Sequence, residues 1–265
     1  MSELTKRILV AVPAAVLFLY LTYIGGIVFK VFMGLITLLV IWEMIRMFRK
    51  LEITSFPIIV FFLALFVWFH DLPSFAIIAA ISAAIILLTT ISIFSENTLA
   101  RRWLLSVFCG VYAPAGFLAV VLIRNSTDGI TGFWITIALF LMIWGNDVFA
   151  YFGGKNFGKH PLAPSISPNK TWEGFWFGIL GAATGLGIVY SLFGDMPFGI
   201  VETIPFILII SIFGPLGDLL ASRLKRITGV KDSSNLIPGH GGFFDRFDAM
   251  ILTAPFYYMY LLWIL

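Results

Sequence analysis

The chain has 265 residues, 60% of them hydrophobic and only 12% charged, with a mean hydropathy of +1.01. A soluble domain carries about twice that share of charge, and 28 Phe with 8 Trp are more than one water-facing core can bury. Composition therefore excludes a soluble globule, a disordered chain, a coiled coil, a nucleic-acid-binding domain and a disulfide scaffold, and the net charge of +3 says little until the charges are placed. What remains is an all-α, polytopic integral membrane protein.

A membrane-crossing helix needs about 20 mostly apolar residues, with a range of about 17–25. Nine such segments are predicted in chain order: 8–24, 27–45, 56–69, 72–94, 103–123, 130–149, 174–193, 204–220 and 249–265. Gly25-Gly26 separates the first two, and His70-Asp71 with Pro73 separates the third from the fourth. The third is short enough for a half-helix or a re-entrant segment. Lys6 and Arg7 precede the first run, but no small-residue cleavage site follows, so a cleaved signal is not expected. Cys109, the one cysteine, lies in the apolar run SVFCGVY and is expected to be a buried, inert thiol.

If nine spans alternate from a cytoplasmic N-terminus, the inner segments hold Lys6, Arg7, Arg46, Arg49, Lys50, Arg101, Arg102, Lys155, Lys159, Lys170, Arg223, Lys225, Arg226, Lys231 and Arg246. That is 15 of the 17 basic residues, with only Lys30 and Arg124 outside. Cytoplasmic loops carry such an excess of Lys and Arg, so the expected topology is N-terminus in and C-terminus out. The count also favours a third segment that crosses, because otherwise Arg46–Lys50 and Arg101-Arg102 would face opposite sides. Residues 1–125 form a hydrophobic bundle with few polar groups at membrane depth and no chemistry, expected to serve as scaffold and dimerisation region. Residues 126–265 form the expected catalytic region, with cytoplasmic loops at 150–172 and 221–247. Loops of that length are usually functional or disordered, and theirs are rich in Gly, Pro, Ser, Lys and Asp.

The first polar cluster closes the sixth span. Asp147 falls in the last turn of an apolar helix, where an ionisable group is costly and marks a functional position. Gly153, Gly154 and Gly158 permit close backbone approach, and Lys155 and Lys159 add positive charge, a weak phosphate-binding signal that does not match a P-loop. Ser165, Ser167, Asn169, Lys170 and Thr171 follow, just before a helix beginning near Trp172. Thr171 or Asn169 is a candidate N-cap. Capping does not explain Lys170, since a cation at a helix N-terminus opposes the dipole unless an anion binds there too. Substrate phosphate or Glu173 could supply that anion.

The second cluster is denser. Asp218 ends the eighth span, and Ser222, Arg223, Lys225, Arg226 and Lys231 follow. Pro238-Gly239-His240-Gly241-Gly242 reads as a tight turn, and Asp245 and Asp248, three residues apart, share one face of the ninth span. Without a Cys or a second His nearby, a Zn²⁺ site at His240 is not expected. Carboxylates alternating with Lys and Arg suit Mg²⁺, which takes one or two protein carboxylates plus water and phosphate oxygens, while the cations neutralise the rest of a polyphosphate. The predicted topology sets these groups at the cytoplasmic ends of spans six to nine.

The stretch Ser222–Asp248 resembles the signature of the phosphatidate cytidylyltransferases, the CDP-diacylglycerol synthases. Ser222, Lys225-Arg226, Lys231-Asp232, Pro238, His240-Gly241-Gly242 and Asp245-Arg246-Phe247-Asp248 fall in the signature's order and spacing. Asp147, Tyr151, Lys155 and residues 165–174 upstream are similar to the family as well. The resemblance implies condensation of CTP with phosphatidic acid to CDP-diacylglycerol and pyrophosphate, a need for Mg²⁺ and a second, monovalent cation (K⁺), a homodimer, and a place in the bacterial cytoplasmic (inner) membrane. It implies catalytic roles for Asp218, Asp245 and Lys225. Metal ligation would fall to Asp218 and Asp245, supported by Asp248 or Asp147, and substrate binding to Lys155, Ser165, Ser167, Asn169, Lys170, Thr171, Ser222, Arg223, Arg226, Lys231, His240 and Arg246. A CTP-dependent polyprenol or phytol kinase and a cation-coupled transporter are the alternatives. The intact signature weighs against the first. Transporters place their carboxylates near the bilayer midplane, which weighs against the second.

Overall fold

The computed structural model describes residues 3–69, 98–194, 196–237, 239 and 241–265. The span expected at 72–94, with His70, Asp71, Pro73, Pro238 and His240, lies outside the described residues. The helices are α1 (Glu3–Ile24), α2 (Gly26–Arg49), α3 (Pro57–Phe69), α4 (Thr98–Arg124), α5 (Gly129–Phe157), α6 (Trp172–Phe193), α7 (Thr203–Ile227) and α8 (Phe244–Ile264). Among the described residues, α2 and α4–α8 are six helices long and apolar enough to cross a membrane. The apolar part of α1 is Leu9–Ile24, and α3 has 13 residues. At 1.5 Å per residue, α3 spans about 20 Å against a hydrocarbon core of about 30 Å. Large apolar side chains such as Ile27, Phe62, Leu192 and Trp263 are exposed where a soluble helix carries charge. The chain is thus an all-α membrane protein.

Three helices run past the apolar segments that announce them. Helix α5 continues eight residues beyond 149 to Phe157, α7 seven beyond 220 to Ile227, and α8 begins at Phe244 rather than 249. Backbone hydrogen bonding does not stop where hydropathy falls, and each end has its own terminator. Helix α7 closes with Val230 N–H donating to Lys225 C=O and Gly229 N–H to Arg226 C=O, with Gly229 at φ +68°. This is a Schellman end, which favours glycine at the left-handed position. Asp147, Lys155, Ser222, Arg223, Lys225 and Arg226 therefore sit on helices. The first connection holds a hairpin, β1 (Pro161–Ala163) against β2 (Ser167–Thr171), antiparallel, with Pro161 opposite Thr171 and Ala163 opposite Ser167.

The described chain forms two compact units, Met1–Val121 with Lys225–Phe247, and Leu122–Leu224 with Asp248–Leu265. In the first, α2 buries Phe29, Met33, Ile36, Val40, Met44 and Met47, a three-and-four spacing that gives one face. Phe48 meets Phe108 edge-on, and Phe108 stacks on Tyr112 with centroids 4.8 Å apart. Gly110 lets α3 approach α4, since a Cβ there would strike the Val60 backbone and Leu63. Cys109 is buried, as expected.

In the second unit, α5 and α6 run antiparallel along a seam of small residues. A Cβ on Gly145 would meet the Gly181 carbonyl, and one on Gly181 the Gly145 carbonyl. Gly185 faces Leu141, Gly178 faces Asn146, Gly174 faces Ala150, and Gly153 faces Phe177 in the same way. Lipid gives no hydrophobic drive for helices to associate, so close backbone packing of small residues takes that role. Gly217 likewise brings α7 against the backbone of Asp248 and Ala249 on α8, where Phe213 stacks on Phe256 at 3.8 Å.

Candidate active site

The α5–α6 seam ends in a cavity of about 780 Å³. Helix α5 contributes Asn146, Asp147, Tyr151 and Lys155, the hairpin Asn169, Lys170 and Thr171, and α7 Pro215 and Asp218. Lys170 Nζ lies 2.6 Å from Asp218 Oδ2 and donates weakly to the Pro215 carbonyl at 3.4 Å. Ser222, one turn further along α7, donates to Asp218 Oδ1 at 3.2 Å. Asp147 is exposed and lines the same cavity as Asp218 and Lys170. Lys155 Nζ stands 5.9 Å from the Tyr151 ring centre.

The hairpin carries Lys170 to this wall because its base is fastened. Thr171 is the N-cap of α6, its Oγ1 accepting from Gly174 N–H at 3.1 Å. Trp172 N–H donates to the His160 carbonyl at 2.9 Å. Glu173 is occupied elsewhere: it accepts from the N–H groups of Lys159 and His160 and lies 2.6 Å from His160 Nδ1. The anion beside Lys170 is thus Asp218 and not Glu173. Ser165 lies in the hairpin turn and Ser167 opens β2. Arg223 is half-buried on α7, and Asp248 is half-buried on α8, where its Oδ1 accepts from Ala249 N–H.

The other unit holds a second, tighter cluster. Lys225 Nζ is 2.6 Å from Asp245 Oδ1, and Asp245 Oδ2 accepts from Ser233 N–H, Ser233 Oγ and Gly242 N–H at 2.8, 2.9 and 3.0 Å. The turn before it is closed by Ile237 N–H donating to the Gly241 carbonyl, with Gly239 and Gly241 at φ +75° and +80°. Arg226, Lys231 and Arg246 are exposed. Glu43 of α2, in the half of the chain expected to hold no chemistry, is fully buried here. It accepts from Ser233 Oγ, Ser234 Oγ, Phe243 N–H and Phe244 N–H at 2.9, 2.5, 3.0 and 2.7 Å. One acid in a long apolar helix was the available signal, since such a residue at membrane depth needs a partner.

The donors present fit Mg²⁺ in one of these settings more readily than in the other. Mg²⁺ keeps several waters and takes one or two carboxylates plus phosphate oxygens. Asp147 and Asp218 offer that on one cavity wall, beside lysines suited to phosphate. Asp245 Oδ2 accepts from two backbone N–H groups and Oδ1 is paired with Lys225, so a cation there would compete with these donors. Among the described residues, no group of three or more His, Cys, Asp or Glu is placed to hold a metal with protein ligands alone.

Apolar helices of spanning length, with carboxylates and lysines lining a cavity bounded by three of them, define a membrane protein with a charged pocket. Residues 5–264 match the profile of the cytidylyltransferase family, so the chain belongs to that family. It is similar to proteins named phosphatidate cytidylyltransferase: 37% identical to one from Bacillus subtilis (strain 168) over 272 residues, 98% of each chain. One from Staphylococcus haemolyticus (strain JCSC1435) is 33% identical and one from Staphylococcus aureus (strain COL) 32%, each over 94% of this chain and 95% of the relative.

Proposed function

We propose that the protein transfers the cytidylyl group of CTP to phosphatidic acid, forming CDP-diacylglycerol and pyrophosphate at the cytoplasmic face of a bacterial inner membrane. The observation that carries this is the cavity lined by the Lys170–Asp218 pair together with Asp147 and Lys155, on helices of membrane-crossing length. An oxygen of the phosphatidate phosphate attacks the α-phosphorus of CTP in line. The bond from that phosphorus to the bridging oxygen breaks, and pyrophosphate leaves with the electron pair. The nucleophile is already an anion, so the reaction needs little general-base help. What it needs is two anions held together and charge neutralised on the leaving group. Lys170 and Lys155 supply positive charge on the cavity wall, and the hairpin fixes where Lys170 stands. Asp147 and Asp218 would hold Mg²⁺, which supplies further neutralisation of phosphate oxygens when bound.

The direct test is purified protein given CTP and phosphatidate, with and without Mg²⁺. Magnesium-dependent pyrophosphate release is expected. Release of CDP with a polyprenol acceptor would instead indicate γ-phosphoryl transfer, and substrate uptake by proteoliposomes without turnover would indicate transport. Orientation is a separate question. Asn235 is exposed, so Asn235→Cys should react with an impermeant thiol reagent from the cytoplasmic side, and labelling only from the opposite side would invert the proposed topology.

A further inference from the structure

The Glu43 carboxylate on α2 stands within hydrogen-bonding distance of four donors, all from the segment leading into α8. Two come from backbone N–H groups at the start of that helix, which have no partner within it and carry its positive dipole end. Glu43 therefore caps α8 from another helix. The other two come from the hydroxyls of Ser233 and Ser234. Ser233 Oγ stands 2.9 Å from Glu43 Oε2 and 2.9 Å from Asp245 Oδ2. It has one proton and serves one carboxylate at a time. Gly242 closes the cluster, since a Cβ there would collide with the Ser233 hydroxyl and with both Glu43 oxygens.

Asp245 Oδ2 already accepts from the Ser233 and Gly242 N–H groups. Its other oxygen faces Lys225, and the pair is largely sealed, with side chains 3% and 13% exposed. Without Glu43, the Ser233 hydroxyl proton would go to Asp245 Oδ2 alone, and Ser234 Oγ and the Phe243 and Phe244 N–H groups would lose their acceptor. Unpaired buried donors are costly, so they would draw that carboxylate toward them. We infer that Glu43 is a positioning residue: by taking the donors that lead into α8, it leaves Asp245 Oδ1 aimed at Lys225. The consequence for turnover rests on the proposed function, whereas the effect on the Lys225–Asp245 pair does not.

The test uses full-length purified protein and two readouts, the acylation rate of the Lys225 amine followed by mass spectrometry, and kcat against KM for CTP and phosphatidate. Glu43→Gln keeps the size but turns one acceptor into a donor that faces a serine hydroxyl and a backbone N–H whichever way the amide turns. It should raise Lys225 modification about fivefold and lower kcat about tenfold, with both KM values within about threefold of wild type. Ser233→Ala, which leaves the buried acid alone and carries the test if Glu43→Gln does not fold, should move both readouts the same way by about threefold. Met44→Ala opens a cavity beside Glu43 without removing a hydrogen bond. It should lower the melting temperature and leave both readouts in place. Unchanged Lys225 modification in both Glu43→Gln and Ser233→Ala overturns the inference. So does a matching loss of kcat in Met44→Ala. If wild-type protein shows no turnover, the proposed function fails, and Lys225 modification alone still decides whether Glu43 positions the pair.

Discussion

Lys170–Asp218 and Lys225–Asp245 are both 2.6 Å lysine–carboxylate pairs, in different surroundings. The first lines a cavity and keeps a quarter to a third of each side chain exposed. The second is enclosed, and its carboxylate also accepts from two backbone N–H groups and a hydroxyl. Exposure decides what a pair can do. An open pair adds little stability and can exchange its partner for a ligand, whereas breaking a closed pair strands a buried charge. The same two residue types therefore form a pair open to exchange in one unit and a closed pair in the other.

Substitution can break that contrast. The largest effect is expected from Asp218→Asn, which removes an anion from the cavity at nearly constant size. Turnover should fall about a thousandfold or more, with the melting temperature little changed. Near-wild-type turnover at saturating Mg²⁺ would take Asp218 out of metal binding. Asp245→Asn should behave differently, losing turnover together with about 3 kcal/mol of stability because Lys225 is left buried without its partner. An unfolding curve that overlays wild type would show that the second pair is as open as the first. Lys170→Gln should leave the fold intact and lower kcat/KM about tenfold, the loss expected for one charge-assisted bond to phosphate. If kcat/KM is unchanged with both substrates subsaturating, the hairpin does not belong to the site. Thr171→Ala sharpens the contrast within the hairpin itself. It should cost about 1 kcal/mol of stability through the lost cap, with a smaller kinetic change than Lys170→Gln.

Hydropathy and charge made the membrane class, six of the expected spans and the two polar clusters legible in the sequence. The ends of α5, α7 and α8 were not, because a helix continues through polar residues until a terminator such as Gly229 stops it. The partner of Lys170 was not legible either. Glu173 is three residues away and Asp218 forty-eight, and local spacing favours the near acid although hairpin geometry selects the distant one. Capping was partly readable, since Thr171 and Asn169 both suited it and the structure uses Thr171. Glu43 was hidden for a different reason. A lone acid in an apolar helix signals a need for partners but does not name them, and its partners lie about 190 residues further on.

The glycines between α5 and α6 also fix the alignment of those helices. On α6 the close contacts fall at Gly174, Gly178, Gly181 and Gly185, an unequal series of steps. Sliding α6 by four residues would bring Ala182 to the position of Gly178 and Leu186 to that of Ala182, so the two surfaces would no longer mesh. Such a slip would displace the hairpin by about 6 Å along α5 and carry Lys170 away from Asp147. The unequal spacing thus works as a key with one seating, and it fixes how far along α5 the hairpin presents Lys170 to the cavity.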